Sequence, residues 1–268
     1  MIAREILRFL SDVAPPELAE DWDNTGLLIG KRDDTVSSIM TCLTLTPDVA
    51  EEAVSNEASL VVTHHPILFR AVKKLTDETS EGRMLLSLIR AGVAVYSPHT
   101  SYDSAYEGVN RQLAASLNLE NVKPIRPQDG GQDSGPNEEP TGSGRLGDLT
   151  DEVSLTEFVA MVKQALQIDH TWFVGDTASK IRRVGIACGA AAEFMDDAAR
   201  HDCDVLLTGE ARFHACLEAR TRGIALVLPG HYPTERPAIE TLAERLANQF
   251  PALNVWASSG ETDPIQWS

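Results

Sequence analysis

The sequence predicts a mixed α/β fold built from two related α/β halves, with layered sheets and helices on their outer faces. Short apolar runs rich in β-branched residues alternate with helical stretches of roughly 10–15 residues, a pattern typical of βαβ units and parallel sheets. The same series of runs also occurs twice along the 268 residues. In the first series 21 positions separate Cys42 from Thr63, and in the second 20 positions separate Cys188 from Thr208. Together these observations predict an internal duplication.

The N-terminal half begins with a predicted amphipathic helix over residues 1–14. Its apolar side chains recur at helical spacing, and the charges of Arg4, Glu5, Arg8 and Asp12 exclude the core of a signal peptide. Strands are then predicted at 38–43, 60–63 and 93–96, and helices at 47–56 and 84–90.

The C-terminal half repeats this order. Strands are predicted at 184–188, 205–208 and 224–228, and helices at 191–200 and 213–222. Right-handed crossovers bring the carboxyl ends of parallel strands to one edge of a sheet, and α/β sheets bind their ligands at that edge. Polar residues that follow these strands are therefore the candidates for a functional site.

A segment with few apolar residues separates the two halves. Residues 121–144 contain four prolines and five glycines, a composition typical of a loop or linker. We expect an N-terminal α/β half at 1–122, a flexible linker at 123–144 and a C-terminal α/β half at 145–268. In this prediction the last helix and strand of the chain are free to pack back on the first half.

Composition restricts the class of protein and its partners. With 43% hydrophobic and 24% charged residues, the chain is that of a soluble globular protein. The net charge of −17 argues against nucleic-acid binding, although a local metal charge would admit a small anionic substrate. The absence of a run of 18 apolar residues argues against a membrane span.

The cysteines indicate a compartment. Cys42, Cys188, Cys203 and Cys216 lack the CxxC spacing of metal sites, and most of them adjoin apolar patterns. We therefore expect buried thiols rather than disulfides. Buried thiols are typical of a reducing environment, so the sequence favours a cytoplasmic protein.

A histidine and a carboxylate follow the third predicted strand of each half. They are His99 and Asp103 in the first half and His231 and Glu235 in the second, in each case four residues apart. A lone histidine is more often a helix cap or a buried hydrogen-bonded group than a metal ligand. The repetition of the pattern at matched strand ends favours the metal interpretation here.

The second predicted strand of each half also ends in potential ligands, His64-His65 and Glu210. Neighbouring side chains of extended backbone point to opposite sides, so adjacent histidines favour two ions over one. A carboxylate such as Glu235 can bridge ions about 3.5–4 Å apart. Imidazoles and carboxylates without thiolates suit Zn, Fe, Mn, Co or Ni. The predicted ligands of two such divalent ions are His64, His65, Asp103, His231 and Glu235.

Several other residues keep two interpretations. His99 and Glu210 are either catalytic groups or residues that orient a ligand, and for His99 a purely structural role is equally open. His214 follows Glu210 by four residues on a predicted helix and either faces the site or pairs with the carboxylate. The motif Asp23-Asn24-Thr25-Gly26 is either a turn or a substrate contact. The remaining histidines are expected to be structural: His170 and His201.

An ordered set of motifs resembles one protein family over nearly the whole chain. The motifs are WDNTGLLIG from Trp22, THHPILF from Thr63, HTSYD from His99 with Gly108 and Asn110, GRLG from Gly144, TGE from Thr208 with His214, and GHYPTE from Gly230. Any one of them is weak, but the set is specific. The chain resembles the Nif-three-like family, whose members are often labelled GTP cyclohydrolase 1 type 2 homologues.

This resemblance implies a dinuclear site and a ring-shaped assembly. One ion is expected on His64 and Asp103, the other on His65 and His231, with Glu235 touching both. The resemblance further implies a homo-oligomer, a toroidal hexamer of paired dimers whose metal sites face an internal cavity.

The sequence departs from the family pattern at two places. Many relatives have aspartate where this chain has Thr44, which puts any role of that aspartate in doubt. Some relatives carry an extra domain between the halves, and the segment 121–144 is too short to form one.

The function expected from these residues is that of a metal-dependent hydrolase. Two ions that share a carboxylate would activate a water for attack on a small nucleotide-like or phosphorylated substrate. The family label suggests opening of the guanine ring of GTP, yet the sequence has no Gly-rich phosphate loop and no Walker-type lysine. The alternative is a non-catalytic metal-binding or regulatory ring protein, which would serve as a metal store, an insertase or an interaction platform. No membrane or nucleic-acid partner is expected.

Overall fold

The computed structural model describes residues 1–128 and 141–266. The fold is mixed α/β, as predicted, and the chain forms two compact units. The first unit comprises Met1–Tyr102 and Arg236–Pro264, and the second is formed by Asp103–Glu235.

The secondary structure follows the predicted alternation of strands and helices. The α-helices are α1 (Ala3–Val13), α2 (Pro47–Ser55), α3 (Ser80–Ala91), α4 (His99–Ser104), α5 (Val109–Ser116), α6 (Leu155–Leu166), α7 (Met195–Arg200), α8 (Phe213–Arg222) and α9 (His231–Gln249). The strands are β1 (Gly26–Ile29), β2 (Ser38–Thr44), β3 (Leu60–His65), β4 (Ala94–Ser97), β5 (Glu120–Lys123), β6 (Arg126–Pro127), β7 (Gly142–Ser143), β8 (Arg145–Ser154), β9 (Trp172–Val174), β10 (Lys180–Ala187), β11 (Val205–Thr208), β12 (Ala225–Leu228) and β13 (Asn254–Ala257). Among the described residues, none of the helices has the length and apolar character needed to cross a membrane.

The first unit contains a five-stranded sheet in the order β1-β4-β3-β2-β13. Strands β13, β2, β3 and β4 are parallel, and β1 pairs with β4 antiparallel. Helices α2 and α3 pack on this sheet through a buried cluster that includes Val49, Val61, Leu85 and Val95. Burial of such apolar side chains is the main stabilising contribution to a fold of this kind.

Local signals fix the limits of the helices in this unit. Helix α2 begins with Pro47, which is tolerated in the first turn because its missing N–H has no partner there. At the start of α3 the side chain of Thr79 accepts a hydrogen bond from the backbone N–H of Gly82. Helix α3 ends at Gly92, whose φ of 73° suits a residue without a side chain.

The second unit contains a six-stranded sheet in the order β5-β8-β10-β11-β12-β9. Strands β10, β11 and β12 are parallel, whereas β8 and β9 are antiparallel to their neighbours. Helix α6 begins with a capping box formed by Ser154 and Glu157. Each unit therefore contains three consecutive parallel strands, with an antiparallel strand beside the third.

The observed units differ from the predicted halves at their limits. The division falls between Tyr102 and Asp103, and β5 belongs to the second sheet rather than to the N-terminal half. Helix α9 from Arg236 onwards and strand β13 belong to the first unit, as the prediction had allowed for the last helix and strand of the chain. The reason is hydrogen bonding: β5 pairs with β8, and β13 pairs with β2.

Part of the predicted linker, residues 129–140, lies outside the described residues. The two ends of the predicted linker contain the antiparallel strands β6 and β7, which pair with each other. Arg126 in β6 donates to Asp197 Oδ2 through Nε at 2.8 Å, and its guanidinium lies 3.9 Å from the centre of the Phe194 ring. These contacts attach the ends of the segment to the second unit.

Candidate metal centre

Three histidines lie close together in the first unit. His64 and His65 are the last residues of β3, and His99 begins α4 directly after β4. Because β3 and β4 are neighbouring parallel strands, their carboxyl ends share one edge of the sheet. One ring nitrogen of each histidine lies within 4.8 Å of one from each of the others, and His64 is buried. We call this group the histidine trio.

Two members of the histidine trio are oriented by polar partners. Thr44 Oγ1 shares a hydrogen bond of 2.7 Å with Nδ1 of His65, its neighbour in the β2–β3 register. Asp23 Oδ1 lies 2.7 Å from Nδ1 of His99. A carboxylate or hydroxyl on one ring nitrogen fixes the orientation and tautomer of the imidazole, and metal-binding histidines usually have such a partner.

Hydrogen bonds hold the Asp23 carboxylate next to His99. Its Oδ2 accepts hydrogen bonds from the backbone N–H of Thr100 at 3.1 Å and from the Thr100 hydroxyl at 2.5 Å. Burial opposes ionisation of Asp23, but the hydrogen bonds from His99 and Thr100 outweigh it and lower the pKa of the carboxyl below its usual value. His99 itself has a φ of 33°, a conformation that ordered surroundings must maintain. Asp23 therefore orients His99 and is more than a turn residue.

The second unit contributes a histidine and two carboxylates. His231 and Glu235 lie in the first turns of α9, on the same face because they are four residues apart. His231 Nε2 lies 3.1 Å from Glu235 Oε2, and His231 Nδ1 lies 2.7 Å from Glu210 Oε1. Glu235 is buried, whereas Glu210 is exposed. Glu210 therefore orients the imidazole from the solvent side.

These carboxylates change the proton affinity of His231. Burial alone would lower the pKa of the imidazole, but the hydrogen bond and charge of Glu235, helped by Glu210, raise the pKa to about 9. The ring is therefore protonated at neutral pH when only these partners surround it. A cation that binds to this ring must displace a proton.

Space beside Glu235 depends on Gly189. This glycine follows β10 with a φ of 65°, and a Cβ at its position would lie 2.3 Å from Glu235 Oε1 and 3.2 Å from His231 Nε2. Its backbone N–H donates to Thr234 Oγ1 at 3.2 Å. Any side chain at this position would push the carboxylate and the imidazole aside.

Asp103 in α4 has its own set of contacts in the second unit. The thiol of Cys188 donates to Asp103 Oδ1 at 3.3 Å. Asn110 donates to the Asp103 backbone carbonyl at 3.1 Å and accepts from the backbone N–H of Cys188 at 2.8 Å. Burial, together with the charges of Asp103 and Glu235, raises the pKa of Cys188 well above its usual value, so this cysteine remains a thiol.

The whole chain matches one family model. The model is described as Duf34/NIF3 (NGG1p interacting factor 3), and it matches residues 1–264. The chain belongs to the Duf34/NIF3 family.

Relatives of this NIF3-family chain cover it from end to end. A protein of Clostridium perfringens named GTP cyclohydrolase 1 type 2 homolog is 30% identical over 268 residues and covers 100% of both chains. The protein NIF3 homolog of Schizosaccharomyces pombe is 33% identical over 276 residues, which are 98% of this chain and 97% of the relative. Among solved structures, protein SA1388 of Staphylococcus aureus is 28% identical, covers 100% of this chain and 99% of its own, and superimposes with a TM-score of 0.88. The resemblance seen in the sequence motifs is thus confirmed.

The structure places the predicted residues of this NIF3-family chain in local groups. His64 and His65 lie with His99, and His231 and Glu235 lie with Glu210. Glu210 precedes α8, so it does not form a helical pair with His214. His214 lies on α8 with its ring 5.9 Å from that of Phe213. His201 Nε2 lies 3.0 Å from the carbonyl oxygen of Ile125, which is a structural role as expected.

Three contributors were not recognised in the sequence, and for a fourth, Asp23, the role of orienting a histidine was not foreseen. Thr44 orients His65, Asp23 orients His99, Cys188 contacts Asp103 and Gly189 leaves room for Glu235. The motif Asp23-Asn24-Thr25-Gly26 had been interpreted as either a turn or a substrate contact, and Cys188 had been expected only as a buried thiol. Each contact joins residues that are at least about twenty positions apart, so only the strand pairing and the helix positions reveal it.

Proposed function

We propose that this NIF3-family protein is a metal-dependent hydrolase that acts on a small nucleotide-like or phosphorylated substrate. The observation that carries the proposal is the histidine trio, whose ring nitrogens lie within 4.8 Å of one another. Imidazoles gathered in this way at a sheet edge are typical of sites for transition-metal ions. The names of the relatives, GTP cyclohydrolase 1 type 2 homolog among them, are consistent with hydrolysis of a nucleotide.

In this proposal two divalent ions, each of Zn, Fe, Mn, Co or Ni, are held by the five residues predicted from the sequence. The chemistry of both local groups fits such ions. In the first unit Thr44 already orients His65, as a polar partner orients a metal-binding imidazole. In the second unit Gly189 leaves the space that a Cβ would fill beside Glu235. The proposed ligands are His64, His65, Asp103, His231 and Glu235.

Bound ions of this kind supply Lewis acidity, which acidifies a water and polarises the bond to be cut. The residues of the chain supply positioning and proton transfer. Asp23 holds His99 through Nδ1. We propose that this pair accepts the proton that the attacking water loses and then donates a proton to the leaving group. The exposed Glu210 orients His231 through Nδ1 in the same way. The homo-oligomer that the family resemblance implies, a hexamer, is part of the same proposal.

Metal removal and replacement test this proposal. The protein would be stripped with a chelator, refilled separately with Zn, Fe, Mn, Co or Ni, and assayed with GTP and with generic phosphoesters. We expect turnover only in refilled protein, with stripped protein and protein refilled with Mg²⁺ as controls. Tight binding of transition metals without turnover of any substrate would instead favour the non-catalytic metal-binding protein.

A further inference from the structure

Two large aromatic side chains beside the histidine trio are exposed to solvent. Trp22 is 62% exposed and Phe69 is 52% exposed. Their ring centres lie 6.0 Å apart, with an angle of 73° between the ring planes. Aromatic side chains of this size contribute most to stability when they are buried, so a contacting pair left in solvent is typical of a binding surface.

Both rings also approach His99. The His99 ring centre lies 6.1 Å from that of Trp22 and 6.4 Å from that of Phe69, with interplanar angles of 77° and 86°. The three rings are thus nearly perpendicular to one another and form what we call the aromatic corner (Trp22, Phe69 and His99). Because His99 also belongs to the histidine trio, the aromatic corner adjoins candidate metal ligands within the first unit.

The two residues that follow Trp22 hold the other two rings in place. Asp23 fixes His99 through its 2.7 Å contact with Nδ1. Asn24 Nδ2 donates to the carbonyl oxygen of Leu68 at 3.1 Å, directly before Phe69. Leu68 has a φ of 56°, which a residue with a side chain rarely adopts without such support. Two polar side chains therefore preorganise an exposed aromatic surface, which lowers the entropy cost of binding a ligand there.

We propose that Trp22 and Phe69 form a subsite that stacks a planar heteroaromatic ring of the substrate, such as a nucleobase. Exposed aromatic side chains bind bases in this way because every base has a π-face. A flat ring that stacks on one of two perpendicular rings presents its edge to the other, and both arrangements are favourable. This inference rests on the proposed hydrolase and deepens it, since it assigns the residues that would bind the ring of a nucleotide-like substrate.

The segment after Phe69 adds charge of the appropriate sign for a phosphorylated ligand. Arg70, Lys73 and Lys74 are all exposed, in a chain whose net charge is −17. A local cluster of cations on an acidic protein favours the approach of an anion to that part of the surface. The ring subsite and the cationic segment are contiguous in sequence, which fits a ligand that carries both a base and a phosphate.

The test compares two tryptophans with similar exposure. As-purified full-length protein would be titrated with guanosine monophosphate by calorimetry, beside Trp22→Ala, Phe69→Ala and the control Trp172→Ala. Trp172 is 66% exposed on β9 of the second unit. We expect Trp22→Ala and Phe69→Ala each to weaken binding roughly tenfold, Trp22→Phe to retain most of it, and Trp172→Ala to bind as the wild type does. Ribose 5-phosphate, which lacks the ring, should bind far more weakly than guanosine monophosphate.

Several results would overturn the inference. They are a wild type that does not bind guanosine monophosphate, equal affinity in the wild type and Trp22→Ala, and equal affinity for ribose 5-phosphate and the nucleotide. A change of molar mass in Trp22→Ala without a change in affinity would show that the aromatic corner contacts another copy of the chain. Failure of the proposed hydrolase looks different, because ring-dependent binding would then persist without any metal-dependent turnover.

Discussion

Replacement of Glu235 by glutamine is expected to reduce hydrolysis by at least about a hundredfold. The side chain is buried, with Oε2 at 3.1 Å from His231 Nε2, and the lack of a side chain at Gly189 leaves room for it. Glutamine has nearly the same shape but no charge, so it would be a much weaker ligand for the two proposed ions. The variant therefore removes the charge of a proposed ligand without creating a cavity, and turnover of the best substrate would be measured at saturating metal.

A matched control lies on the same helix. Glu240 in α9 is exposed, and its closest cation is Arg236 at 3.5 Å. Glu240→Gln should leave both turnover and stability close to those of the wild type, because the Glu240 carboxylate is exposed and solvent screens its 3.5 Å contact with Arg236. If Glu235→Gln turned over substrate as fast as Glu240→Gln does, Glu235 would have no part in catalysis.

Replacement of Arg145 by methionine is expected to produce the largest loss of stability. The side chain is only 1% exposed. Its guanidinium donates to the backbone carbonyls of Gly142, Gly144, Ser104 and Ala105, at distances from 2.5 to 3.1 Å. Burial and the nearby charge of Arg111 lower the pKa of this guanidinium to about 10. The cation is therefore costly to bury, and its hydrogen bonds to the four carbonyls offset this cost.

Methionine fills much of the volume of Arg145 but satisfies none of the four carbonyls. We expect the free energy of unfolding to fall by about 3–5 kcal/mol, which corresponds to a fall in Tm of roughly 6–20 °C. Thermal unfolding of metal-stripped protein measures this without a contribution from bound ions. Arg182→Met, at an exposed position of β10, is the control and should change Tm by only a few degrees. Equal Tm values for the two variants would contradict the structural role of Arg145.

The strands that carry the site were predictable because their sequences are short and apolar. The runs at 60–63 and 205–208 lie within β3 and β11, and the parallel order of the three strands in each unit follows from the helices between them. His64, His65 and His231 could therefore be placed at sheet edges from the sequence alone.

The beginning of helix α9 at His231 was not predicted, for a physical reason. The helix contains Pro233 and Pro237. Proline in the first turn is compatible with a helix, but Pro237 lacks the N–H that would bond to the preceding turn and normally interrupts the pattern. His231 and Glu235 do follow strand β12, as predicted, but their position on one helical face was not foreseen.

The partners of the candidate ligands required tertiary information. Thr44 contacts His65 only because β2 and β3 pair in the observed register. A shift of this register by one residue would turn the Thr44 side chain to the other face of the sheet. Asp23 and His99 are 76 positions apart. The limits of the units were likewise decided by the pairing of β5 and β13 with distant strands, which composition does not encode.

The metal content of the protein tests the central proposal most directly. Untreated or refilled wild type, analysed for transition metals by elemental mass spectrometry, should contain close to two ions per chain. The double variant His65→Ala/His231→Ala should retain close to one, because it removes two ligands of the same proposed ion. A wild type that binds no transition metal, or a double variant that keeps both ions, would contradict the assignment of these residues as metal ligands.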